Sequence, residues 1–487
     1  MGEAPVSPDA DRPRAGARTV RTPFADALQR VTANAAGSLH ALPLSGGHSV
    51  AGSALRDKFL ALTGADYLAS EVSYSAPALD SFFRPRACLA QAQRLAATAF
   101  DADATMFVTG GTTLANTIAL ETLIRTADTA IGRPVRLLVD RSSHQSIHFA
   151  VDRPDVATTY SRQRSDEHGR SWADLDDLLD RYRAAAAAGV PFDAVVLTAA
   201  GYDGTRIDVP GALAELLRYT DTVSVLVDEA WSAIHYFHPT LRAGTALVGA
   251  RALRTAHQDK RLRVLVSHSA HKSMSALRQA SYLHILGDQT FIDAAGCALY
   301  RHHTTSPSLP ILASLDLARA QAELEGEELV ERSLRHGRVL RELVANDPRL
   351  ESFTIVESAC GDRWATADPT KVMLGVDPAL MSGEELRVRL IRDYGLYVGR
   401  SVRSGLLLHL HIGVTAEVFD QLVTALCEIA LDIAPRPVPT PGGTGGGGFL
   451  VAYPPGIPLT VPGERLQPGQ VRHLRELTGA GAAVFQV

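Results

Sequence analysis

The sequence predicts an α/β fold: a large, mostly parallel sheet with helices on both faces, joined to a smaller α/β C-terminal domain. Three observations carry that prediction. From Arg84 onward, helical runs alternate with short apolar runs at Met106–Val108, Val135–Val139, Ala194–Leu197, Ser224–Val227 and Val264–Val266. Each is a short, mostly apolar run, broken only by Arg136 and Ser224, that stops at a polar residue, the pattern of strands buried on both faces. After Leu329 a second alternation begins, with strands near Val372–Val376 and Leu406–Ile412. Finally, 487 residues, 46% hydrophobic and 21% charged, suffice for two or three domains around a large core.

Taken in order, residues 1–21 are polar and rich in Pro, Ala, Asp and Arg, and are expected to form a disordered leader. Residues 22–83 form an N-terminal segment that mixes a helical stretch, Phe24–Ala35, with turn-rich text such as Leu44–His48. Residues 84–328 make the large domain and 329–434 the small one. A Pro/Gly-rich linker follows at 435–448. The C-terminal piece, 449–487, contains Tyr453-Pro454-Pro455-Gly456-Ile457-Pro458. There are no internal repeats.

Composition narrows the function. A net charge of −5 gives no reason to expect nucleic acid or an anionic membrane as partner. No uncharged apolar run reaches the length of a membrane span, about 18 residues. The N-terminus lacks the apolar segment of a signal peptide. The four cysteines, Cys88, Cys297, Cys360 and Cys427, are far apart and have neither metal-ligand spacing nor the density of a disulfide scaffold. A cytoplasmic location is expected.

Only four of the 48 Lys and Arg residues are lysines: Lys58, Lys260, Lys272 and Lys371. A lysine amine can lose its proton and attack a carbonyl, whereas an arginine near neutral pH cannot. Base composition of the gene also produces Arg-rich chains, so rarity alone does not mark a site. Lys272 lies in Ser267-His268-Ser269-Ala270-His271-Lys272-Ser273, just after a strand. It is a candidate for a Schiff base with pyridoxal 5'-phosphate (PLP). Asp228 ends the buried run Val225–Val227, where a carboxylate needs a cation or donors. A protonated pyridine nitrogen is one such partner; a helix N-cap role is the plain alternative. Gly110-Gly111-Thr112-Thr113 follows a strand and opens a helix, a place where N–H groups and hydroxyls can receive a phosphate. It is neither a Walker loop nor a dinucleotide fingerprint. His144, after the Val135–Val139 strand, is either a ring that stacks on a flat cofactor or a surface histidine. Ser269 and His271 could donate to a phosphate. A metal reading of His268 and His271 fails, because no Cys or carboxylate has useful spacing. In such folds ligands bind beyond the carboxyl ends of the strands, and all these residues lie there. Lys272 follows Asp228 by 44 positions.

These residues resemble the fold-type-I PLP enzymes of the ornithine/lysine/arginine decarboxylase group. Ser269-Ala270-His271-Lys272 with Gln279-Ala280-Ser281 is similar to the family's Ser-Thr-His-Lys segment and its sequel. Asp228-Glu229-Ala230-Trp231, Tyr202-Asp203-Gly204, Asp368-Pro369-Thr370-Lys371 and the Tyr453–Glu464 segment also resemble family motifs. The likeness runs over most of the chain from Thr22. It implies that Lys272 forms the Schiff base, Asp228 pairs with the pyridine nitrogen, His144 stacks on the ring and Ala230 packs beneath it. It implies phosphate contacts from Gly111, Thr112, Thr113, Ser269 and His271. Thr305, in Thr304–Ser308, is implied to reach the cofactor of a neighbouring subunit, so a homodimer or larger homo-oligomer is expected. Lys371 is read as structural and Glu229 as a solvated or network residue.

The chain also departs from the family. The family's Val-Glu-Lys is here Val398-Gly399-Arg400, which removes a carboxylate from the substrate side, and the N-terminal His-x-Pro-Gly-His-Lys-Gly is here His40–His48 without a lysine. The leading expectation is decarboxylation of a basic L-amino acid (arginine, lysine or ornithine type) to its amine. The alternatives are another PLP reaction, such as transamination, an aldol-type step or oxidative deamination, and an inactive regulatory homologue.

Overall fold

Seven strands form one sheet: β1 (Ala104–Val108), β2 (Val135–Val139), β3 (Val156–Tyr160), β4 (Ala194–Thr198), β5 (Thr222–Asp228), β6 (Arg261–His268) and β7 (Ser281–Leu286). Their spatial order is β1-β7-β6-β5-β4-β2-β3. The pairs from β6 across to β3 are parallel, and β7 runs antiparallel to both β6 and β1. The computed structural model describes residues 20–34, 37–127, 132–166, 168–356, 362–402 and 405–433, with 450–453, 457–460, 470, 474 and 483–486 beyond them. The linker expected at 435–448 lies outside the described residues, as do Cys360, Pro454–Gly456 and all of the expected leader except its last two residues.

Strand periodicity decides which side chains face which layer. Val223, Val225 and Val227 of β5 enter one core, together with Leu262, Val264 and Val266 of β6. Leu226 and Leu265 enter the core on the other face, where they meet Ala115, Ile118 and Ala119 of α2 (Gly111–Thr126). Short, mostly apolar runs are therefore the signature of this sheet, which is covered on both sides. Two strands lacked it. β3 is half-polar and forms the sheet edge, and β7 carries Tyr282 and His284 in a central position. Tertiary partners make β7 tolerable: the Tyr282 hydroxyl donates to the Leu315 carbonyl at 2.6 Å, and His284 is bonded to Thr105 and His268.

The helix α1 spans Pro23–Asn34. Its first turn docks on α3 (Leu309–Asn346), where Asp316 accepts from the N–H groups of Phe24 at 2.9 Å and Ala25 at 3.3 Å. Asp316 is paired with Arg319 at 2.6 Å, and Arg319 also donates to the Arg21 carbonyl. α3 runs unbroken through residue 329. Its first half packs in the large domain through Leu312 and Leu315, and its second half in the small domain through Leu340 and Val344. The small domain holds β8 (Phe353–Ile355), β9 (Lys371–Val376), β10 (Arg400–Val402) and β11 (Gly405–His409), all antiparallel in the order β8-β9-β11-β10. Three short strands, Leu450–Tyr453, Ile457–Thr460 and Ala483–Gln486, make a last small sheet. Arg141 reaches it by donating to the Pro458 carbonyl at 2.8 Å. Among the described residues no helix is long and apolar enough to cross a membrane.

Removing Asp316 leaves the buried Arg319 with Glu323 as its remaining ion pair, at 2.7 Å, and takes the acceptor from the start of α1. Asp316→Ala is expected to cost about 1–3 kcal/mol and to release α1. Lower thermal stability together with new proteolytic cleavage between residues 20 and 35 checks this; an unchanged digestion pattern contradicts it.

Candidate active site

The site follows from the same strand parity. Asp228 shares a face with Leu226, and Ser267 shares it with Leu265, so both polar side chains point toward α2. Asp228 and Ser267 are also neighbours across β5 and β6. On α2, Asn116 lies four residues after Thr112 and on the same helix face. Its amide donates to Asp228 Oδ2 at 2.9 Å and to Ser146 Oγ at 3.2 Å, while its Oδ1 accepts from Ser267 Oγ at 2.7 Å. The Ala230 N–H donates to Asp228 Oδ1 at 3.0 Å. Asp228 is thus a buried carboxylate, 4% exposed, that receives only neutral donors among the described residues. Asn116, Ser146 and Ser267 had been given no role from sequence; the spacing of Asn116 from Thr112 was the available signal.

Next to this carboxylate is the turn that opens α2. Gly111 adopts φ +70°, and a Cβ on Gly110 would stand 2.5 Å from the Leu114 side chain, so both positions require glycine. The Gly111 N–H is committed to the Gln279 carbonyl at 2.8 Å. A phosphate here would therefore be received by the N–H groups that follow it and by the hydroxyls of Thr112, Thr113 and Ser269. Thr112 and Ser269 are hydrogen-bonded to each other at 2.5 Å. His271 is narrower in its use than expected: Nδ1 bonds the Ala280 carbonyl at 2.9 Å, and burial lowers the pKa of its ring. A neutral ring so bonded can only accept at Nε2. Gln279, at φ +71°, is the strained residue that brings the Ala280 loop up to both Gly111 and His271.

Lys272 sits in the single helical turn Ala270–Ser273. Its Nζ lies 4.1 Å from the centre of the Trp231 ring and makes no hydrogen bond or ion pair among the described residues. Burial pushes its pKa down to about 8; the Asp228 charge opposes that shift and Lys371 adds to it. His144 is placed against the same cavity. Its Nδ1 accepts from the Ser146 N–H at 3.2 Å, and burial pushes its pKa down to about 4. The ring is therefore neutral near pH 7, as a stacking partner should be. Glu229 is a network residue. It accepts from the Ala246 N–H at 2.8 Å and bonds His268 at 3.0 Å.

Lys371 and Arg400 hold the neighbouring turn. Lys371 Nζ donates to the Gly201 carbonyl at 3.0 Å and lies 3.6 Å from Asp368, while Arg400 is paired with Asp203. Both come from the small-domain sheet. They fix Tyr202, whose ring meets Trp231 edge-on at 5.1 Å. A Cβ on Gly399 would stand 3.4 Å from the Tyr202 hydroxyl. Thr305 is exposed and does not line the cavity of its own chain.

Gly111, Thr112, Thr113, His144, Asp228, Ala230, Ser269, His271 and Lys272 all border one cavity of about 740 Å³ at the carboxyl edge of the sheet. The donor set fits PLP. It offers a helix N-terminus and hydroxyls for a phosphate, a buried carboxylate lacking a cation for a pyridinium, and a deprotonatable amine for the carbonyl.

The fold is that of the fold-type-I PLP enzymes. Residues 22–374 match the Orn/Lys/Arg decarboxylase major-domain model, and the chain belongs to that PLP-dependent family. It is 31% identical to a lysine decarboxylase of Pseudomonas aeruginosa over 83% of its own length, and it spans 59% of that relative. An arginine decarboxylase of Bacillus anthracis is 25% identical, with 89% of each chain covered. The solved structure of the Escherichia coli constitutive lysine decarboxylase superposes with a TM-score of 0.75 at 21% identity, covering 95% of this chain and 80% of that one; the likeness shows the shared fold.

Lys272 should react as a partly neutral amine. In cofactor-free protein, its labelling by an aldehyde plus a hydride donor is expected to rise with pH around a midpoint near 8. Because the Asp228 charge raises that pKa, Asp228→Asn should move the midpoint down. A midpoint near the ordinary lysine value of 10.5 contradicts the assignment.

Proposed function

We propose that this chain decarboxylates a basic L-amino acid, of the arginine, lysine or ornithine type, to the corresponding amine. The observation that carries the reading is the pairing of the Asp228 carboxylate, satisfied only by neutral donors, with the neutralisable Lys272 amine at one cavity. Lys272 would hold PLP covalently, Asp228 would pair with its ring nitrogen, and the opening of α2 with Ser269 would bind its phosphate. Bound PLP supplies an electron sink for the pair left on the substrate α-carbon as CO₂ departs. His144 covers the cavity with a neutral ring that keeps water out. Lys272 Nζ, with a pKa near 8, can carry a proton away and return it at neutral pH. The family match supports the reaction class, and the relatives named for lysine and arginine support a basic substrate.

One observation favours a second reading. Gly399 stands beside Tyr202 where the resemblance calls for a glutamate, so the substrate side carries one carboxylate fewer. Transamination or oxidative deamination on the same cofactor site would give a keto acid or aldehyde in place of an amine. The exposed Thr305 segment supports a homodimer in which each subunit contributes to its neighbour's site.

Incubation of PLP-loaded protein with arginine, lysine and ornithine separately, with products identified by mass, tests the proposal. An amine with one of them, lost in Lys272→Ala, is the expected result. Bound PLP with no amine from any of the three overturns it.

A further inference from the structure

The phosphate end of the cofactor cavity is short of positive charge. The opening of α2 offers hydroxyls and backbone N–H groups, all neutral. The Gly111 N–H is committed to the Gln279 carbonyl, and the neutral His271 ring can only accept at its free nitrogen. A phosphate monoester carries a charge of about −1.5 to −2 near pH 7, and a charge drawn out of water needs a counter-charge. Among the described residues that border the cavity, Asp228, Lys272 and Arg278 are the charged ones, His rings aside. Asp228 answers to a ring nitrogen and Lys272 to a carbonyl, which leaves Arg278. It is exposed at the rim and makes no hydrogen bond or ion pair among the described residues. The backbone holds it over the opening of α2. Leu277–Ala280 is a tight turn, closed by the Ala280 N–H on the Leu277 carbonyl at 3.0 Å. Gln279 takes φ +71° in it, a conformation that such turns usually give to glycine. Two bonds pin this turn: the Gln279 carbonyl accepts from the Gly111 N–H at 2.8 Å, and the Ala280 carbonyl bonds the His271 ring at 2.9 Å. The Arg278 charge also reaches the His271 ring, where it adds to the larger effect of burial.

We propose that Arg278 is a cofactor-binding residue: its guanidinium pairs with the phosphate of PLP at the opening of α2 and supplies the cation that this end of the cavity lacks. The proposal rests on the reading of the cavity as a PLP site, and deepens it by assigning the counter-charge of the phosphate. A guanidinium suits the task because its planar fork presents two parallel N–H donors to two phosphate oxygens. No bond within the described residues has to break when Arg278 turns to the phosphate. PLP held in this way meets opposite charge at both ends, Asp228 at its ring nitrogen and Arg278 at its phosphate.

The test is made on the full chain freed of cofactor and titrated with PLP and, separately, with pyridoxal, which keeps the ring and the aldehyde and lacks the phosphate. The absorbance of the Schiff base with Lys272 reports both. Arg278→Met is expected to weaken PLP binding by about tenfold or more and to leave pyridoxal unchanged, with Arg278→Lys recovering part of the loss. Inorganic phosphate competes for the same end of the cavity, so it should hinder PLP binding more in wild type than in Arg278→Met. The proposal is overturned if Arg278→Met binds PLP as wild type does, or if PLP and pyridoxal weaken alike, which would make the turn a support for the ring. If wild type forms the Schiff base with neither aldehyde, the reading of the cavity as a PLP site falls and this proposal with it. If wild type binds PLP and Arg278→Met matches it, the assignment of Arg278 alone falls. An unchanged melting temperature of the cofactor-free variants shows that the fold persists. Binding is read without turnover, so the outcome is independent of which product the loaded enzyme releases.

Discussion

A carboxylate buried at the end of a strand is the constraint around which this active site is organised. Asp228 lies within a hydrophobic sheet and receives hydrogen bonds from Asn116 and the Ala230 N–H, both neutral. Those bonds make its burial tolerable without cancelling its charge. The residual field is what a cationic ring would satisfy, and the rest of the arrangement follows from it. Asn116 must face Asp228, so the helix that carries it must begin at Gly110–Gly111. That start places the helix N-terminus beside Ser269, and Ser269 sits three residues before Lys272.

The same low-dielectric setting acts on the other ionisable groups in one direction. It lowers the pKa of His144, His409 and Lys272 alike, so both rings are neutral near pH 7 and the Lys272 amine comes within reach of neutral pH, while the Asp228 charge opposes the shift of Lys272. Lys371 carries a second amine, 5.1 Å from the centre of the Trp231 ring. Burial lowers its pKa as well, but its Nζ is fixed on the Gly201 carbonyl beside the Asp368 charge, which opposes that shift, so it serves as a strut. The two lysines share the Trp231 face and differ in that Lys371 has acceptors whereas Lys272 Nζ has none among the described residues.

Much of this was legible in the sequence. The apolar runs marked five of the seven large-sheet strands, and the strand-end residues singled out for a ligand border one cavity. What was hidden depended on partners distant in sequence. β7 is polar enough to escape notice because Leu315, Thr105 and His268 satisfy it. Asn116 lies mid-helix and takes its meaning only from the parity of two strands more than a hundred residues away. Gly111 was read as a phosphate contact, but its N–H belongs to the carbonyl of Gln279, a residue whose φ no pattern could have given. His271 likewise spends its donor on the Ala280 carbonyl.

The two domains contribute differently to the cavity and to the turn beside it. Every residue that faces the cofactor cavity comes from the large sheet, its helices or their connecting loops. The turn at Tyr202–Gly204 is held from outside, by Lys371 and Arg400 of the small-domain sheet, and Gly399 precedes Arg400 directly. A further cavity, of about 380 Å³, is shared between α3 and the end of β11. Changes in the small domain can therefore reshape what Trp231 and Tyr202 present to a substrate without disturbing Asp228, Asn116 or Lys272. A change in the struts around Tyr202 would therefore alter what faces a substrate while leaving the hydrogen bonds of the buried Asp228 carboxylate in place.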